Sequence, residues 1–319
     1  MNIKIPTVKM IEQEIKRLYK VDVKNVVFLG RSDNEAYRIE TLSNKYLLKV
    51  HLGRNDKSMI ESEMMWLKAI QDDTNLEIQC PIKNSQGTYV TDLIDSNDNH
   101  SLWTLQDWLE GEVLQEQPNE QVIENLAHVM ATLHNHANHW NVPETFSRPQ
   151  FNAEHLLNSL KQLSILVSEN VVTPDQYEFF KRTSDKILPV IYRENTNSNY
   201  WGIIHSDLHE GNYIIKNGIP HAIDFSCCGF GFYLFDIAET FLHLNPNSQK
   251  KFIHFYTKKR KLQEDYPEIL ESFFLWQILR NFAFLSKNKE EYKYLTETIP
   301  FVIENFCIKY LDGERFLLP

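Results

Sequence analysis

The chain of 319 residues has no apolar run that approaches the about eighteen residues needed to span a membrane. Its first six residues lack the apolar core of a secretory signal peptide. The four cysteines, Cys80, Cys227, Cys228 and Cys307, form no C-x-x-C pair and no regular framework. These absences argue against a membrane protein and a disulfide scaffold, and we expect a cytoplasmic protein with reduced thiols. The adjacent Cys227 and Cys228 are either core residues or oxidation-sensitive neighbours of the motif described below.

Positive charge is also in deficit. Lysine and arginine number 33 against 43 aspartates and glutamates, which gives a net charge of −10 at pH 7. An acidic surface repels phosphate backbones, so we do not expect nucleic acid as a partner. The acidity is compatible with a cationic substrate, although many cytoplasmic enzymes are acidic. No internal repeat or low-complexity segment is present, and the length allows two lobes with separate cores.

The periodicity of the chain changes near residue 110. The pattern predicts helices over residues 9–19 and 57–70 and strands over 25–30, 35–40, 45–51, 78–82, 88–93 and 102–109. It then predicts helices over residues 121–139, 153–168 and 173–193 and from 233 to the end. We therefore predict an α+β protein of two lobes, residues 1–109 and residues 110–319.

The most informative segment is His205–Asn212, which places an aspartate and an asparagine with four residues between them. Its sequence, H-S-D-L-H-E-G-N, matches the H-x-D-x-x-x-x-N spacing of a kinase catalytic loop. Asp224-Phe225 follows where kinases keep a metal-binding Asp-Phe pair. Asp207, Asn212 and Asp224 can together hold a hydroxyl nucleophile and Mg²⁺ against a triphosphate.

The residues between the two halves of this motif predict a hairpin. Asn217-Gly218, flanked by apolar residues, is typical of a two-residue type I′ turn. That turn pairs Asn212 with Ile223, so that Asn212 and Asp224 are diagonal neighbours about 5–8 Å apart at Cβ. Two oxygen-bearing side chains at this distance can share Mg²⁺.

Histidines offer an alternative interpretation. A zinc site of His205, Asp207 and His209 competes for the same segment, but it lacks a cysteine and a fourth partner at ligand spacing. The histidines within residues 134–139 share no helical face, so we interpret them as ordinary surface or core residues. We favour the magnesium interpretation.

A lysine and a glutamate in the first lobe predict a buried ion pair. Lys49 lies among apolar neighbours in a predicted strand, so its charge requires a partner. On the next predicted helix, Glu63 falls within the apolar stripe, whereas Glu61 points away. We prefer Glu63, because the pair then repeats the strand-lysine to helix-glutamate ion pair of kinases.

Two further segments are candidates for nucleotide contacts. No G-x-G-x-x-G is present, but Ser32 and the backbone N–H groups of residues 29–35 can approach phosphates, and an ordinary hairpin turn explains that segment nearly as well. The β-rich part ends at residues 105–111, where the backbone of Asp107 and Leu109 would hydrogen-bond the base. The side chains there do not identify the base, so ATP rather than GTP is an assumption.

The motifs resemble those of the aminoglycoside phosphotransferase / choline kinase-like family. The resemblance rests on His205–Asn212, Ile223–Phe225, Gly229–Gly231 and Asp236–Ala238, and it extends in order over nearly the whole chain. It implies a protein-kinase-like two-lobe fold, with a β-rich N-terminal lobe that contains one main helix and a mostly helical C-terminal lobe. It also implies transfer of a phosphate from Mg-ATP to the hydroxyl group of a small molecule, such as an aminoglycoside, an amino alcohol, homoserine or a sugar.

The resemblance assigns roles to matching residues. Asp207 would be the catalytic base, His205 would brace its loop, and Asp236 would hold the loop backbone from the next helix. Asn212 and Asp224 would bind Mg²⁺. The N-terminal lobe would bind the nucleotide through Lys49, Glu63, Ser32, Asp107 and Leu109.

Two departures from protein kinases bear on the alternatives. Ser206 replaces the arginine that reads a phosphorylated activation loop, and no A-P-E segment follows. Ser226 replaces an acidic residue of many relatives, which leaves a second metal position open. A serine/threonine protein kinase of the atypical bacterial kind is nevertheless the second candidate function, and a nucleotide-binding pseudokinase is the third. The sequence does not reveal the acceptor, the oligomeric state, or whether the aromatic residues 273–284 wall a pocket or form a core.

Overall fold

The computed structural model describes residues 6–31, 34–51, 56–94, 100–194 and 198–318. The chain divides into two compact units. The first comprises Met1–Glu112 and Trp140–Arg148, and the second comprises Val113–His139 and Pro149–Pro319. The predicted division between residues 109 and 110 stays a prediction, and no single division point accounts for the segment Trp140–Arg148, which belongs with the first unit.

The first unit is built on a six-stranded antiparallel sheet. Its strand order is β1-β2-β3-β6-β4, and β5 pairs with β6. The strands are β1 (Asn25–Arg31), β2 (Asn34–Glu40), β3 (Lys45–His51), β4 (Pro81–Ile82), β5 (Val90–Ile94) and β6 (His100–Asp107). Two helices, α1 (Val8–Tyr19) and α2 (Lys57–Asp73), complete it.

Strand alternation gives the sheet two different faces. On one face, Leu48 of β3 and Leu105 of β6 are fully buried and belong to the same core cluster as Ile11, Ile15 and Leu18 of α1. These three residues repeat at helical spacing, so α1 presents one apolar stripe to the sheet. The helix predicted over residues 9–19 is therefore confirmed, and it lies against an apolar face of the sheet.

The opposite face of the same strands is polar at its centre. Lys49 of β3 is paired in register with Thr104 of β6, and Leu47 with Gln106. The Gln106 amide lies 3.4 Å from the Met64 sulfur of α2, so α2 lies over this face. The lysine predicted to need a partner is thus placed beneath the helix predicted to supply one.

The second unit is mostly helical. Its helices are α3 (Glu120–His139), α4 (Ala153–Ser168), α5 (Pro174–Glu194), α6 (Tyr233–Leu242), α7 (Pro246–Thr257), α8 (Tyr266–Leu285), α9 (Tyr292–Val302) and α10 (Ile308–Asp312). Its strands are β7 (Glu112–Val113), β8 (Trp201–Ile204), β9 (Tyr213–Lys216), β10 (Ile219–Ala222) and β11 (Gly229–Phe232). The first residue of β7, Glu112, is the last residue of the first unit's main segment. The α+β class is confirmed. None of the helices in the described ranges combines the length and apolar character that a bilayer crossing requires.

Aromatic side chains of α8 form the centre of this unit. The Trp276 ring lies 4.3 Å from that of Phe235 on α6 and 5.7 Å from that of Phe273, measured between centroids. All three residues are fully buried. Core packing therefore explains these rings, whereas Phe284, at the end of the same helix, is 61% exposed.

The β9–β10 hairpin has the predicted register. Lys216 is paired with Ile219 and Ile215 with Pro220, and the Ile223 N–H donates to the Asn212 carbonyl at 2.9 Å. Asn217 and Gly218 both have positive φ, 54° and 76°, as a type I′ turn requires. The turn chemistry of two residues thus sets the position of both ends of the motif.

A close backbone approach at Gly229 joins β11 to the start of α4. A Cβ at this position would lie 2.6 Å from the Pro149 carbonyl oxygen, so no larger residue fits. The neighbouring Phe230 N–H donates to that oxygen at 2.8 Å, and the Phe151 N–H donates to the Phe230 carbonyl at 2.7 Å. Residues 149–151 are thereby fixed against the strand that leads into α6.

We predict that Gly218→Ala lowers the free energy of unfolding by about 1 kcal/mol, because a Cβ disfavours the left-handed conformation. Nothing lies within 4 Å of the added Cβ, so the cost is conformational. Gly30→Ala is the matched control, since it also adds a Cβ in open space but without positive φ. Denaturant unfolding measures both, and equal stability of the two variants would contradict the turn assignment.

Candidate active site

The loop after β8 is held by one buried carboxylate on α6. Asp236 accepts the His205 N–H at 3.1 Å through Oδ2 and the Ser206 N–H at 2.6 Å through Oδ1. Its Oδ2 also lies 2.9 Å from His134 Nε2 on α3. Asp236 and His134 are both 0% exposed. The predicted role of Asp236 in holding the loop backbone is confirmed by these contacts.

The protonation states in this buried cluster follow from its hydrogen bonds. Burial alone would raise the pKa of Asp236, but the bond and charge of His134, with further help from the loop, lower it below its ordinary value. Burial lowers the pKa of His134, so its imidazole is neutral and donates from Nε2. Its Nδ1 then accepts from the Tyr256 hydroxyl, 2.8 Å away. The side-chain polar atoms of Asp236, His134 and Tyr256 are all hydrogen-bonded, which fixes the loop backbone.

Ser206 occupies a strained conformation that is held from both sides. Its φ is 66°, in the left-handed region that non-glycine residues rarely adopt. Its N–H is bonded to Asp236, and its carbonyl accepts from Arg280 Nη1 at 2.9 Å. The strain persists because both peptide groups are fixed, and it sets the direction in which the following residue, Asp207, leaves the loop.

Asp207 and Asn212 form the centre of the site. The Asn212 side-chain amide donates to the Asp207 carboxylate and to the Asp207 carbonyl, both at 2.8 Å. The side chain of Asp207 remains 31% exposed. Because the Asn212 amide nitrogen faces Asp207, the other end of the amide, the Oδ1 oxygen, is directed away from Asp207.

The second aspartate of the motif follows immediately. Asp224 is adjacent to Ile223, whose N–H bonds to Asn212 and whose carbonyl lies 3.0 Å from His205 Nε2. Asp224 has φ 56° and accepts the Ser226 N–H at 3.4 Å. The His205 ring thus contacts the junction between the loop and the hairpin, and the hairpin pairing brings the backbone of Asp224 to the same end as Asn212.

The electrostatic surroundings of Asp207 favour proton uptake. Burial raises the pKa of Asp207, His205 opposes this effect, and the Glu239 carboxylate adds to it. His209 and Arg280 oppose the rise more weakly, and the net direction is upward. A carboxylate with a raised pKa accepts a proton more readily than an ordinary aspartate.

In the first unit, Lys49 and Glu63 form the predicted pair. The Lys49 Nζ lies 4.0 Å from Glu63 Oε1, and the two side chains are 7% and 0% exposed. Glu61 instead lies 3.9 Å from Lys57 on the helix surface. Neither carboxylate oxygen of Glu63 has a hydrogen-bond partner among the described residues, so this charge is incompletely satisfied.

The remaining nucleotide candidates are partly placed. Ser32 lies outside the described residues. The Asp107 N–H donates to the Cys80 carbonyl at 2.8 Å, so this N–H is not available to a ligand. The N–H of Leu109, two residues later, makes no hydrogen bond within the described part of the chain. A carbonyl and an N–H two residues apart match the acceptor and donor pattern of an adenine edge.

The zinc alternative is not supported by the geometry. In the described residues, the cluster with metal-ligand atoms within 4.8 Å of one another is His209, Glu210 and His243. However, His209 Nδ1 accepts the Gly211 N–H at 3.1 Å, and its Nε2 lies 3.1 Å from the Asn212 amide. His243 Nδ1 lies 3.1 Å from Glu210, and its pKa is raised by Glu239 and Glu210 although burial opposes this rise. These groups are hydrogen-bonded to each other and to the loop.

Sequence reasoning missed Arg280 and Glu239. Arg280 on α8 bonds the Ser206 carbonyl and lies 3.7 Å from Glu239 on α6. Arg280 follows Asp207 by more than seventy residues in the sequence, without a motif that links the two. Only the packing of α8 against α6 reveals this contact.

Comparison with known proteins identifies the family of this chain. The model of the phosphotransferase enzyme family matches residues 26–271. The chain belongs to this family. Amicoumacin kinase of Bacillus subtilis (strain 168) is 23% identical over 223 residues, which cover 69% of this chain. The match spans 63% of that relative, less than two thirds of its length.

Solved structures show the same fold over nearly all of this chain. A microcompartment-associated aminopropanol kinase superposes with a TM-score of 0.81 at 21% identity, covering 97% of this chain and 99% of the other. An amicoumacin kinase in complex with AMP-PNP, Ca²⁺ and Ami gives 0.78 at 18% identity, with 98% and 96% covered. A spectinomycin phosphotransferase gives 0.64 at 14% identity, with 97% and 99% covered. The expected kinase-like fold is confirmed.

We predict that Asp236→Asn lowers the free energy of unfolding at pH 7 by about 2–4 kcal/mol, because an amide cannot accept all three buried hydrogen bonds. Since the pKa of Asp236 is lowered in the folded protein, its stabilisation is present above the ordinary value of 3.8 and is lost as the pH falls below it. The difference between wild type and variant should therefore shrink below about pH 4.

Tyr256→Phe is the control for this cluster. It removes one hydrogen bond to His134 and should cost about 1 kcal/mol. Denaturant unfolding over a pH series measures both variants. A difference for Asp236→Asn that stays constant from pH 7 to the acid range would contradict an ionised Asp236.

Proposed function

We propose that this phosphotransferase moves the γ-phosphate of Mg-ATP to a hydroxyl group of a small molecule. The observation that carries the proposal is the hydrogen bond from Asn212 to Asp207, together with the hairpin pairing that brings the backbone of Asp224 to the same end. Its support comes from the family match and from relatives that are named as kinases of small molecules, amicoumacin and aminopropanol. A cytoplasmic location stays a prediction from the sequence.

Asp207 is the group that receives the acceptor proton. As the acceptor oxygen forms a bond to the γ-phosphorus, the bond between that phosphorus and the β–γ bridging oxygen breaks, and ADP leaves. The hydroxyl proton passes to the Asp207 carboxylate, whose other contacts hold it in place: the Asn212 amide at one oxygen and the fixed Ser206 peptide before it. Proton transfer of this kind contributes about 10²–10⁴-fold to the rate.

The residues present fit a magnesium ion. Asn212 Oδ1 is directed away from Asp207, and the Asp224 carboxylate follows across the hairpin, so an amide oxygen and a carboxylate oxygen are offered together. Hard oxygen ligands of this kind suit Mg²⁺ better than softer metals. When bound, the ion supplies positive charge that offsets the phosphate charge in the transition state. Asp224 has a φ of 56°, in the strained left-handed region. Strain of this kind is common at residues that bind ligands, so it is consistent with Asp224 as a metal ligand.

The first unit supplies the groups that hold the nucleotide. Lys49 lies 4.0 Å from Glu63, and a strand lysine in such a pair is the group that contacts the α- and β-phosphates in kinases. The carbonyl of Asp107 and the N–H of Leu109 fit the base edge of adenine. Ser32 remains a candidate phosphate contact on sequence grounds alone.

No observation favours the other two functions. The relatives and solved structures that carry an activity in their names act on small molecules, not on proteins. A pseudokinase typically lacks one of the residues needed for transfer, whereas Lys49, Asp207, Asn212 and Asp224 are all present. An assay that compares phosphate transfer to proteins with transfer to small alcohols would test for protein kinase activity.

We predict that Asp207→Asn lowers the turnover number by at least about 10²-fold while ATP binding changes little, because the base is lost but the nucleotide contacts are not. ADP release in the presence of an acceptor measures turnover, and calorimetric titration measures nucleotide affinity. Glu210→Gln is the matched control, since it removes a carboxylate three residues away in the same loop. Normal turnover of Asp207→Asn would remove this residue from the mechanism.

A further inference from the structure

A basic groove of about 350 Å³ lies between α4 and α8, entirely within the second unit. From α4 it is lined by the polar groups of Asn158, Ser159 and Gln162, and from the other side by Arg280, Phe284 and Lys287. Phe284 is the exposed ring that core packing does not explain. The groove thus combines two cations, several neutral hydrogen-bonding groups and one apolar wall.

The charge of this groove is opposite to that of the whole chain. No carboxylate lines it, whereas the chain carries a net charge of −10. Lys287 forms no ion pair with any carboxylate of the described residues. His155, which also lines the groove, is neutral because burial lowers its pKa to about 4, helped by the charge of Arg280. Lys287 therefore has no counter-charge among the described residues, whereas the nearest carboxylate to Arg280, that of Glu239 at 3.7 Å, does not line the groove.

Arg280 is pre-organised to bind an anion. Only its Nη1 is bonded within the described residues, to the Ser206 carbonyl at 2.9 Å and to Gln277 at 3.1 Å. The guanidinium lies 5.2 Å over the Phe151 ring, and its side chain is 17% exposed. The N–H groups of Nε and Nη2 therefore make no hydrogen bond within the described residues. They lie in the rigid plane of the guanidinium, a geometry that matches carboxylate and phosphate groups.

The groove begins next to the proposed base. Arg280 bonds the carbonyl of Ser206, and that carbonyl belongs to the peptide that joins Ser206 to Asp207. Arg280 thereby lies close to Asp207 in the fold, and its positive charge acts on the Asp207 carboxyl group. A role in supporting the loop explains why Arg280 Nη1 bonds the Ser206 carbonyl. It does not explain why a second cation, Lys287, lines the same groove.

We propose that this groove binds the acceptor, and that the acceptor is an alcohol that carries a carboxylate or phosphate group. Its anionic group binds the fork of Arg280 and the ammonium of Lys287, and its carbon chain lies against Phe284. The inference rests on the proposed function and names the class of acceptor for that site. An amino alcohol would instead place its cation against two like charges.

The kinetic test compares Lys287→Glu with Lys258→Glu. Each lysine lies three residues after a phenylalanine whose ring its ammonium covers, at 5.9 Å for Phe284 and 4.6 Å for Phe255, but Lys258 is outside the groove. ADP release is measured with ω-hydroxy acids and diol monophosphates, and with ω-amino alcohols of the same carbon chains. We expect the anionic series to be preferred, and Lys287→Glu to raise its KM about tenfold with a smaller change in kcat.

A binding test separates this inference from the catalytic one. Glutarate and 1,5-diaminopentane carry no hydroxyl and cannot react, so they report on the groove alone. Glutarate should raise the melting temperature of wild type and of Lys258→Glu, and it should have little effect on Lys287→Glu, whereas the diamine should not stabilise wild type.

The outcomes distinguish the two claims. Preferential stabilisation by the diamine, or an unchanged response of Lys287→Glu to glutarate, would overturn the basic groove as an anion site. Efficient turnover of amino alcohols that Lys287→Glu leaves unaltered would overturn the acceptor class while the kinase activity stands. If glutarate binds as expected and no alcohol of either series releases ADP, the anion site stands and the phosphotransferase assignment to this acceptor class is refuted.

Discussion

The structure of the site depends on one buried carboxylate. Asp236 accepts the two successive backbone N–H groups of His205 and Ser206, and it is itself held by a neutral His134. Because both donors precede Asp207 directly, a displacement of this carboxylate would move the loop and redirect Asp207. Fully satisfied hydrogen bonds in a dry interior are strong and specific, which is how a strained Ser206 can be maintained. The packing of α6 in the core thereby fixes the position of Asp236, and through it the position of Asp207.

The first unit contains a buried ion pair, Lys49 and Glu63, that its contribution to stability does not explain. Glu63 is completely buried with no hydrogen bond to its carboxylate among the described residues, and its lysine partner is 4.0 Å away. Buried ion pairs of this quality contribute little net stability, so their presence is better explained by ligand binding. Asp224 and Ser206 likewise keep left-handed conformations at the site. The left-handed φ of Asp224 and the carboxylate of Glu63 without a hydrogen bond thus fall on residues proposed for the metal and for the nucleotide.

The sequence predicted those features that depend on local chemistry. The Asn217-Gly218 turn fixes the hairpin register, and through it the neighbours of Asn212, because a two-residue turn allows one pairing. Helical geometry likewise distinguished Glu63 from Glu61. The sequence did not reveal β8 and β11, whose four residues each are too short to show alternation. Nor did it reveal Arg280 and the basic groove, which arise from helix packing between distant segments; the net charge was only compatible with a cationic substrate.

The most direct test of the site is the location of its metal. Crystals of the protein with AMP-PNP and Mn²⁺ in place of Mg²⁺ would show the ion by its anomalous scattering. The account predicts Mn²⁺ at coordination distance, about 2.0–2.2 Å, from Asn212 Oδ1 and an Asp224 carboxylate oxygen. An ion bound instead by His209, Glu210 and His243, with Asn212 and Asp224 left uncoordinated, would contradict it.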